Sequence, residues 1–267
     1  MDVIIISNEL QIRLGCFLGL FALLAIAEVI IPRRDLKIPR LKRWGNNLGL
    51  SAFNSILVKM MFPIAGTGLA VLCMENQWGL LNFLNLPIWL GIGIYIIVFD
   101  FSIYWQHRLF HLVDPLWRLH RMHHTDLDYD ITTGNRFHPL SIVISIVIKM
   151  IVVLIMGPVL VAVLISEVLL NLTSMFNHSN IQLPQKVDKL LRLVLVTPDM
   201  HSIHHSQDEL EHNCNFGFCF PWWDRMFSTY LDEAALSHQS LKIGIKGFDE
   251  DNSIWIHNLL VQPFADK

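Results

Sequence analysis

Histidine is concentrated in one stretch of this 267-residue chain. The sequence contains 13 histidines, and 11 of them lie between His107 and His212. Neutral imidazole is a ligand for zinc, iron, copper and nickel, so such a cluster predicts metal binding without naming the ion. We therefore expect the chemistry of the chain to lie in this stretch.

The spacing of these histidines suits ligands that are presented by helices. His107 and His111 are four residues apart, which places both rings on one face of a helix. The pattern H-x-x-H-H occurs twice, at 120–124 and at 201–205, and His178 stands alone between the two copies. Together these positions supply enough ligands for two metal ions. The nine predicted ligands are His107, His111, His120, His123, His124, His178, His201, His204 and His205.

The remaining histidines carry a weaker signal. His138, at the start of an apolar run, fits a metal ligand, a support for a ligand or a cap at the membrane interface. For His212, ligation is equally open. His238 and His257 lie in a polar C-terminal segment, where we expect solvent-exposed side chains.

Two other metal chemistries do not fit the sequence. Carboxylate-bridged di-iron bundles need Glu-x-x-His on two helices, and this pattern occurs here only at 209–212. The zinc peptidase pattern H-E-x-x-H does not occur in the sequence. A site built mainly from histidine is therefore the prediction.

Apolar helices must position these histidines. Hydrophobic residues make up 53% of the chain and charged residues only 16%, against roughly a quarter charged in ordinary soluble domains. This balance excludes a disordered chain and a nucleic-acid partner. Several apolar segments are long enough to cross a bilayer, and the last predicts a helical hairpin that turns at Gly157-Pro158. The segments are 14–31, 48–74 with Lys59 and Pro63 inside it, 86–106 and 140–176.

Loop charges predict how these helices are oriented. The 32–47 loop holds six Lys or Arg residues against Asp35 alone, and the 75–85 loop holds neither Lys nor Arg. By the positive-inside rule, the first loop is cytoplasmic, and counting spans forward brings every histidine cluster to that side. We predict an all-α integral membrane protein with about four to five transmembrane helices and a cytoplasmic, helical, histidine-rich cap.

Two charges inside the predicted hairpin test its geometry. Lys149 and Glu167 lie at nearly equal depth on the two arms if the chain turns at Gly157-Pro158. A lone charge at this depth is unfavourable by about 2.5 to 3.5 kcal/mol on insertion scales. We therefore expect both side chains to face the interior and to approach each other or a shared polar partner. Trp222 and Trp223 are expected to be anchors at the membrane interface.

Several motifs together resemble one known family. Asp100 to His111 reads D-x3-Y-W-x-H-R-x2-H, and 116–124 reads L-W-R-x-H-R-M-H-H. F-H-P-L follows at 137–140, and Asn215-Phe-Gly precedes W-D-R-M-F-x-T-Y at 223–230. In this order the motifs resemble the fatty acid hydroxylase or sterol desaturase superfamily of membrane di-iron oxidoreductases. The resemblance covers about residues 95–230.

This resemblance implies a cofactor and roles for particular residues. The nine histidines would hold two iron ions, and zinc can take the same ligands in purified protein. Asp100, Tyr104 and Asn215 are the predicted catalytic residues, and Asp100 and Asp199 are expected to hold the N–H groups of ligand histidines. Some relatives have a histidine where this chain has Ser174, one turn before His178.

The same resemblance implies partners and a division of the chain. The substrate would be a lipid from the bilayer, hydroxylated or desaturated at a C–H bond. Electrons would come from an external donor such as a ferredoxin or a cytochrome b5-like protein, since neither G-x-G-x-x-G nor an iron–sulfur cysteine cluster occurs. We expect N-terminal spans with a basic loop at 1–90, a catalytic domain at 91–235 and a cytoplasmic tail at 236–267.

Two other functions remain as alternatives. A histidine-rich metal transporter would need ionisable residues lining its spans at mid-depth, whereas only Lys59, Lys149 and Glu167 lie well inside the apolar segments. A catalytically silent lipid-binding relative would keep the fold without needing the full histidine set. Metal analysis and lipid profiling would separate these alternatives from the oxygenase.

Overall fold

The computed structural model describes residues 2–84, 86–248 and 253–265 of the chain, and it is all-helical in these residues. The only β-type pairings among them are two isolated bridges, Pro32 with Ile181 and Ser206 with Ile243. The helices are α1 (Asp2–Ile30), α2 (Arg40–Met61), α3 (Thr67–Glu75), α4 (Leu80–Leu84), α5 (Ile88–Leu112), α6 (Asp114–His124), α7 (Pro139–Met156), α8 (Leu160–Asn177), α9 (Gln185–Leu191), α10 (Pro198–His204), α11 (Glu209–His212), α12 (Trp222–Met226) and α13 (Ile256–Val261). Short 3-10 turns lie at Thr133–Asn135 and Gln262–Phe264.

Four of the described helices are long and apolar enough to cross a membrane. They are Ser7–Ile30 within α1, and the whole of α5, α7 and α8. The central helix is α8, which packs against α1, α3 and α5 and is the most buried of the four. The predicted all-α class with four to five candidate spans is confirmed with four.

The predicted hairpin is confirmed, and its ends have clear local causes. Pro139 is the first residue of α7, and the His138 ring accepts a hydrogen bond from the Leu140 amide at 3.2 Å. The helix ends at Gly157, which has a left-handed φ of 58°, a conformation that glycine adopts without penalty. A Cβ atom on Gly157 would lie 1.9 Å from the Trp78 carbonyl oxygen. The loop after α3 is therefore packed tightly against the hairpin turn.

The predicted second span, 48–74, is not a single helix. The chain leaves α2 after Met61 and enters α3 only at Thr67. Pro63 lacks an amide hydrogen and keeps the preceding Phe62 out of helical geometry, and Gly66 has a φ of 67°. The broken segment still runs the length of the bundle. At one end, Arg43 of α2 donates to Asp126, just after the histidines of α6. At the other end, Gly79 packs against the hairpin turn at Gly157.

The charged pair inside the hairpin agrees with the prediction in part, since Lys149 lies within electrostatic range of Glu167 and of Arg13. Glu167 does face the interior, but its partner is Arg13 of α1, at 2.6 Å, whereas half-buried Lys149 forms no hydrogen bond to it. Arg13 also donates to Glu9 at 2.8 Å, and Glu9 accepts from the Thr67 hydroxyl at 2.7 Å. The close packing of α1 on α8 brings these groups together. The pairing joins α1, α3 and α8 inside the membrane-spanning part.

The described C-terminal segment packs on the body of the molecule. Leu259 of α13 is fully buried against Leu50 of α2 and Met122 of α6. The Arg121 guanidinium donates to the Gln262 carbonyl at 2.8 Å. This segment therefore packs against both α2 and α6.

Candidate metal centre

Nine buried or half-buried histidines form two adjacent groups. In each group, the potential ligand nitrogens all lie within 4.8 Å of one another. The first histidine group consists of His107, His111, His120, His124 and His204. The second histidine group consists of His123, His178, His201 and His205. The structure thus brings together all nine residues that the sequence singled out, and metal ligation by them stays a prediction.

Each group draws its rings from several helices. The first histidine group combines residues of α5, α6 and α10, and the second combines α6, the residue that follows α8, and the end of α10. Helix spacing explains how α6 serves both groups. His120 and His124 are four residues apart and share one face, whereas His123 is rotated to the other group. In α10, the same pattern directs His204 to the first group and His201 with His205 to the second.

Ring nitrogens from different helices point at one another. The Nε2 atoms of His107 and His204 are 3.0 Å apart. The corresponding distances are 3.1 Å for His111 with His124, and 3.1 Å for His123 with His178. Two imidazole nitrogens at this distance hold either one shared proton or a common cation between them. These contacts place the lone pairs of both groups at convergent points.

Backbone carbonyls hold the opposite side of three rings. Nδ1 of His107 donates to the Phe216 carbonyl at 2.8 Å, and Nδ1 of His204 donates to the Cys214 carbonyl at 2.7 Å. Nδ1 of His178 donates to the Ser174 carbonyl at 2.7 Å. A carbonyl oxygen only accepts, so Nδ1 carries the proton and Nε2 keeps its lone pair for a metal.

Other buried ring nitrogens have no partner among the described residues. Neither nitrogen of His201 or His205 forms a hydrogen bond, and Nδ1 of His123 and of His124 also lacks one. Burying such an atom without a partner is unfavourable by about 1 to 3 kcal/mol. A metal ion accepts a nitrogen lone pair, so the donor set and one unpaired nitrogen on each of His201 and His205 fit metal ligation.

Burial keeps these rings neutral. It lowers the pKa of His178 to about 3, because the charged imidazolium loses its solvation. Burial, reinforced by repulsion between neighbouring rings, also lowers the pKa of His123, His204 and His205 well below the usual value. Neutral imidazole is the form that binds metals, so the site is prepared for ligation at neutral pH without losing protons first.

The two carboxylates expected to hold histidine N–H groups do not contact them. Asp100 accepts hydrogen bonds from the Trp223 indole at 2.8 Å and from the amides of Cys219 and Phe220 at 3.1 and 3.3 Å. Asp199 pairs with the Arg33 guanidinium at 2.8 Å. Asp100 instead fixes the loop that follows Phe216, so backbone oxygens take the role expected for carboxylates.

Tyr104 and Asp224 support the same loop. The Tyr104 hydroxyl lies 2.9 Å from the Thr229 hydroxyl, which donates to Asp224 at 2.7 Å. Asp224 also accepts from the amides of Phe216 and Gly217, both at 2.8 Å. Sequence reasoning did not single out Asp224, although the W-D-R-M-F motif contains it. The feature that could have identified Asp224 from the sequence is a carboxylate close to the Asn215-Phe-Gly turn.

Asn215 holds the start of this loop. Its φ of 55° is left-handed, which asparagine tolerates better than most residues. The side-chain amide donates to the carbonyls of Met200 and Leu231, both at 2.9 Å, and its oxygen accepts from the Leu231 amide. Asn215 and Tyr104 therefore lie behind the ligand rings, and a catalytic role for either stays a prediction.

The remaining candidates fall outside the two groups. His138 is the cap of α7, and its Nε2 lies 3.2 Å from the Leu260 carbonyl. The His212 ring lies 4.8 Å from those of His111 and His124, centre to centre, without joining either group. His257 is exposed as expected, but His238 is half-buried, with Nδ1 3.2 Å from the Ser202 hydroxyl. The solvent-exposed placement predicted for His238 is wrong.

Trp223 is also placed differently from the prediction. Its side chain is buried and packs on Phe101, with ring centres 4.9 Å apart, while its indole donates to Asp100. Trp222 is exposed and donates to the Leu193 carbonyl at 2.8 Å. Trp223 is therefore a buried residue that helps to support the loop. Of the two tryptophans, only Trp222 remains a candidate anchor at the membrane interface.

Comparisons with known proteins match the part of the chain that holds the nine histidines. The fatty acid hydroxylase family model matches residues 92–229, which is more than half of the chain and includes all nine histidines. The chain is 27% identical over 193 residues to an alkylglycerol monooxygenase of Xenopus tropicalis, covering 70% of this chain and 41% of that protein. It is 27% identical over 172 residues to an ornithine lipid hydroxylase of Rhizobium tropici, covering 64% and 50%.

A human alkylglycerol monooxygenase is 30% identical over 137 residues, which cover 50% of this chain and 29% of that protein. The chain thus spans half or less of the length of these curated relatives. No solved structure matches the chain.

Proposed function

Because the chain belongs to the fatty acid hydroxylase family, we propose that it is a membrane-bound, O2-dependent oxidoreductase that hydroxylates or desaturates a C–H bond of a lipid. The observation that carries this proposal is the pair of adjacent histidine groups, with nitrogens within 4.8 Å in each, at one end of four candidate membrane spans. The curated relatives named above are lipid monooxygenases and hydroxylases, which supports a lipid substrate.

The cofactor that we propose is a pair of iron ions, one in each histidine group. The five residues of the first group and the four of the second would hold them through nitrogen ligands. When bound, iron supplies the activation of O2 that attack on an unactivated C–H bond requires and that no side chain provides. Zinc can occupy the same nitrogens in purified protein, because ligand type does not separate the two metals.

The residues of this chain prepare the site in three ways. The carbonyls of Phe216, Cys214 and Ser174 fix the proton on Nδ1 of their histidines and turn Nε2 inward. Burial keeps the rings neutral and ready to bind. The supports behind the loop, Asp100 and Asp224, keep the Phe216 carbonyl in place by binding the loop amides.

We propose that the substrate enters from the bilayer and that electrons come from an external donor such as a ferredoxin or a cytochrome b5-like protein. The positive-inside count supports a cytoplasmic position for both histidine groups. We also propose that residues 91–235 are the catalytic domain, preceded by membrane spans with a basic loop and followed by the C-terminal segment that packs on α2 and α6.

The test is oxygen incorporation by protein in native-like membranes. The full chain, loaded with Fe(II) and given a chemical or enzymatic electron donor, is incubated with a membrane lipid extract under ¹⁸O2. Mass spectrometry of the lipids should show products that carry one ¹⁸O atom, or unsaturated products that form only when O2 is present.

A matched pair of variants completes this test. His204→Ala should remove the products, whereas His257→Ala, which alters an exposed histidine outside both groups, should leave them unchanged. Equal product yields from His204→Ala and the unaltered chain would contradict the proposal. Metal flux across vesicles without any lipid product would favour the transporter instead.

A further inference from the structure

A polar cavity lies beside the second histidine group, outside the metal ligands. Its volume is about 740 Å³. The loop after α1 forms one wall, and the segment 239–243 forms the other. Four cationic side chains line the cavity against two carboxylates. The cations are Arg33, Arg34, Lys37 and Lys242, and the carboxylates are Asp35 and Asp128.

Two of the carboxylates at or beside the cavity already have partners within the protein. One oxygen of Asp128 accepts hydrogen bonds from the amides of Lys37 and Ile38, at 2.9 and 2.8 Å, and so fixes the loop. Asp199, outside the cavity, neutralises Arg33. Asp35 is exposed and so has access to water. Lys37 and Lys242 are exposed residues, so their ammonium groups are accessible to a ligand.

Arg34 adds a cation that the protein compensates incompletely. Its guanidinium donates to the Leu241 carbonyl, a neutral group. Burial lowers the pKa of Arg34, although nearby Asp128 acts against this effect. The cavity therefore presents a positive charge that an anionic ligand would balance, and the neutral donors Gln207 and Gln239 lie in the same lining.

The position of the cavity indicates that such an anion would come from the membrane surface. The last residues of α1 expose apolar side chains, with Val29 65% and Ile30 71% exposed, as on a lipid-facing helix end. The cavity lining begins directly afterwards, at Pro32. The boundary between an apolar span and a basic loop is where lipid phosphates lie.

The cavity is one layer of side chains from the metal centre. Leu241 and Ile243, which line it, pack against Tyr129. The Tyr129 ring lies 5.1 Å from that of His205 and 5.6 Å from that of His178, centre to centre. The Gly244 amide also donates to the His205 carbonyl at 3.2 Å. An anion held in this cavity would thus be close to the second histidine group.

We propose that this cavity binds the phosphate-bearing headgroup of a membrane lipid. Arg34, Lys37 and Lys242 supply the positive charge, and the glutamine amides supply further donors. The inference concerns binding, so it is tested without turnover and stands or falls separately from the proposed oxidation. If the bound lipid is also the substrate, its reacting carbon lies near the headgroup.

The experiment measures binding of short-chain lipids to the purified full-length chain in detergent. The probes are dihexanoyl phosphatidic acid, dihexanoylglycerol, which lacks the phosphate, and inorganic phosphate. The test variant is Lys37→Gln/Lys242→Gln, and the control is Lys186→Gln/Lys246→Gln, which removes the same charge from exposed lysines outside the cavity.

We expect phosphatidic acid to bind more tightly than either other probe. The test variant should weaken its binding by about 10-fold or more, while the control variant changes it little. Equal weakening by both variants would show attraction to overall charge and would overturn the site. Inorganic phosphate binding as tightly as the lipid would overturn the lipid headgroup as its ligand. An unchanged midpoint of thermal unfolding in detergent shows that both variants are folded.

Discussion

Two buried polar clusters lie close together at the same end of the molecule, and they differ in how completely their groups are paired. The first surrounds Arg43, whose guanidinium bonds Asp126 at 2.7 Å and also bonds Asp130 and the Thr133 hydroxyl. The second is the pair of histidine groups, in which both nitrogens of His201 and of His205 lack hydrogen bonds. Apart from half-buried His111, both clusters are almost inaccessible to solvent.

This difference is the one expected between a structural network and a ligand site. In the Arg43 cluster, opposite charges meet inside the protein, with Arg136 as a second cation near Asp126, and the carboxylates hold the pKa of Arg43 above its usual value despite burial. The histidine groups contain no carboxylate, and burial holds their rings neutral with lone pairs directed at one another. The first cluster pairs its charged groups within the protein, whereas the second leaves nitrogen lone pairs that an added cation would accept.

Removing a ligand should have the largest effect. His123→Ala or His204→Ala should abolish lipid oxidation and lower bound metal, because each removes one ligand from a different histidine group. The protein should stay in the membrane, since its spans insert by apolar burial. Activity and metal content per chain are measured together, with His257→Ala as the control. Full activity in either alanine variant would place the metals elsewhere.

Breaking the Arg43 cluster should instead reduce stability. Arg43→Met leaves two buried carboxylates without their partner, and it should destabilise the fold by about 3 to 5 kcal/mol. Thermal unfolding in detergent measures this, with the exposed Lys186→Met as the control. Adding Asp126→Asn should restore part of the loss, because one uncompensated charge is then removed. If Arg43→Met left stability unchanged but removed the metal, the Arg43 cluster would act in metal binding and the two clusters would not have different roles.

Weakening the loop support should have an intermediate effect. Asp100→Asn replaces an oxygen that accepts hydrogen bonds with an NH2 group facing the same donors. The loop that carries the Phe216 carbonyl should shift, and metal affinity should fall by about 10- to 100-fold. Competition with a chelator measures the affinity, with the exposed Asp114→Asn as the control. Unchanged affinity would show that the loop is held without Asp100.

The smallest effect is expected at Ser174. Its hydroxyl donates to the Gly134 carbonyl at 2.9 Å, whereas its backbone carbonyl is what holds His178. Ser174→Ala should therefore lower stability by about 1 kcal/mol and leave metal content unchanged. Denaturant unfolding and metal analysis check both parts. Loss of metal would mean that the hydroxyl belongs to the site.

The sequence predicted the grouping of the histidines better than the supports behind them. Spacing of three or four residues indicates a shared helix face, so residues such as His120 and His124 could be grouped from the sequence alone. The oxygens that orient the rings belong to the backbone, and every residue has one. Nothing in the sequence marks the Phe216 or Cys214 carbonyl, so carboxylates such as Asp199 were expected in their place.

The same limit explains the differences in the fold. The apolar length of α5, α7 and α8 predicts spanning helices directly. Which charges meet between helices depends on packing, so Arg13 could not be recognised as the partner of Glu167. Pro63 indicated an interruption, but the apolar residues on both sides of it gave no sign that the segment forms two separate helices.

Both histidine groups use α6 and α10, and we expect this sharing to couple metal binding at one group to metal binding at the other. An ion in the first group would fix these helices relative to each other and so order the rings that the second group contributes from them. The second ion would then bind a partly ordered site. Titration of metal-free chain should show positive cooperativity, with a Hill coefficient above that of independent sites.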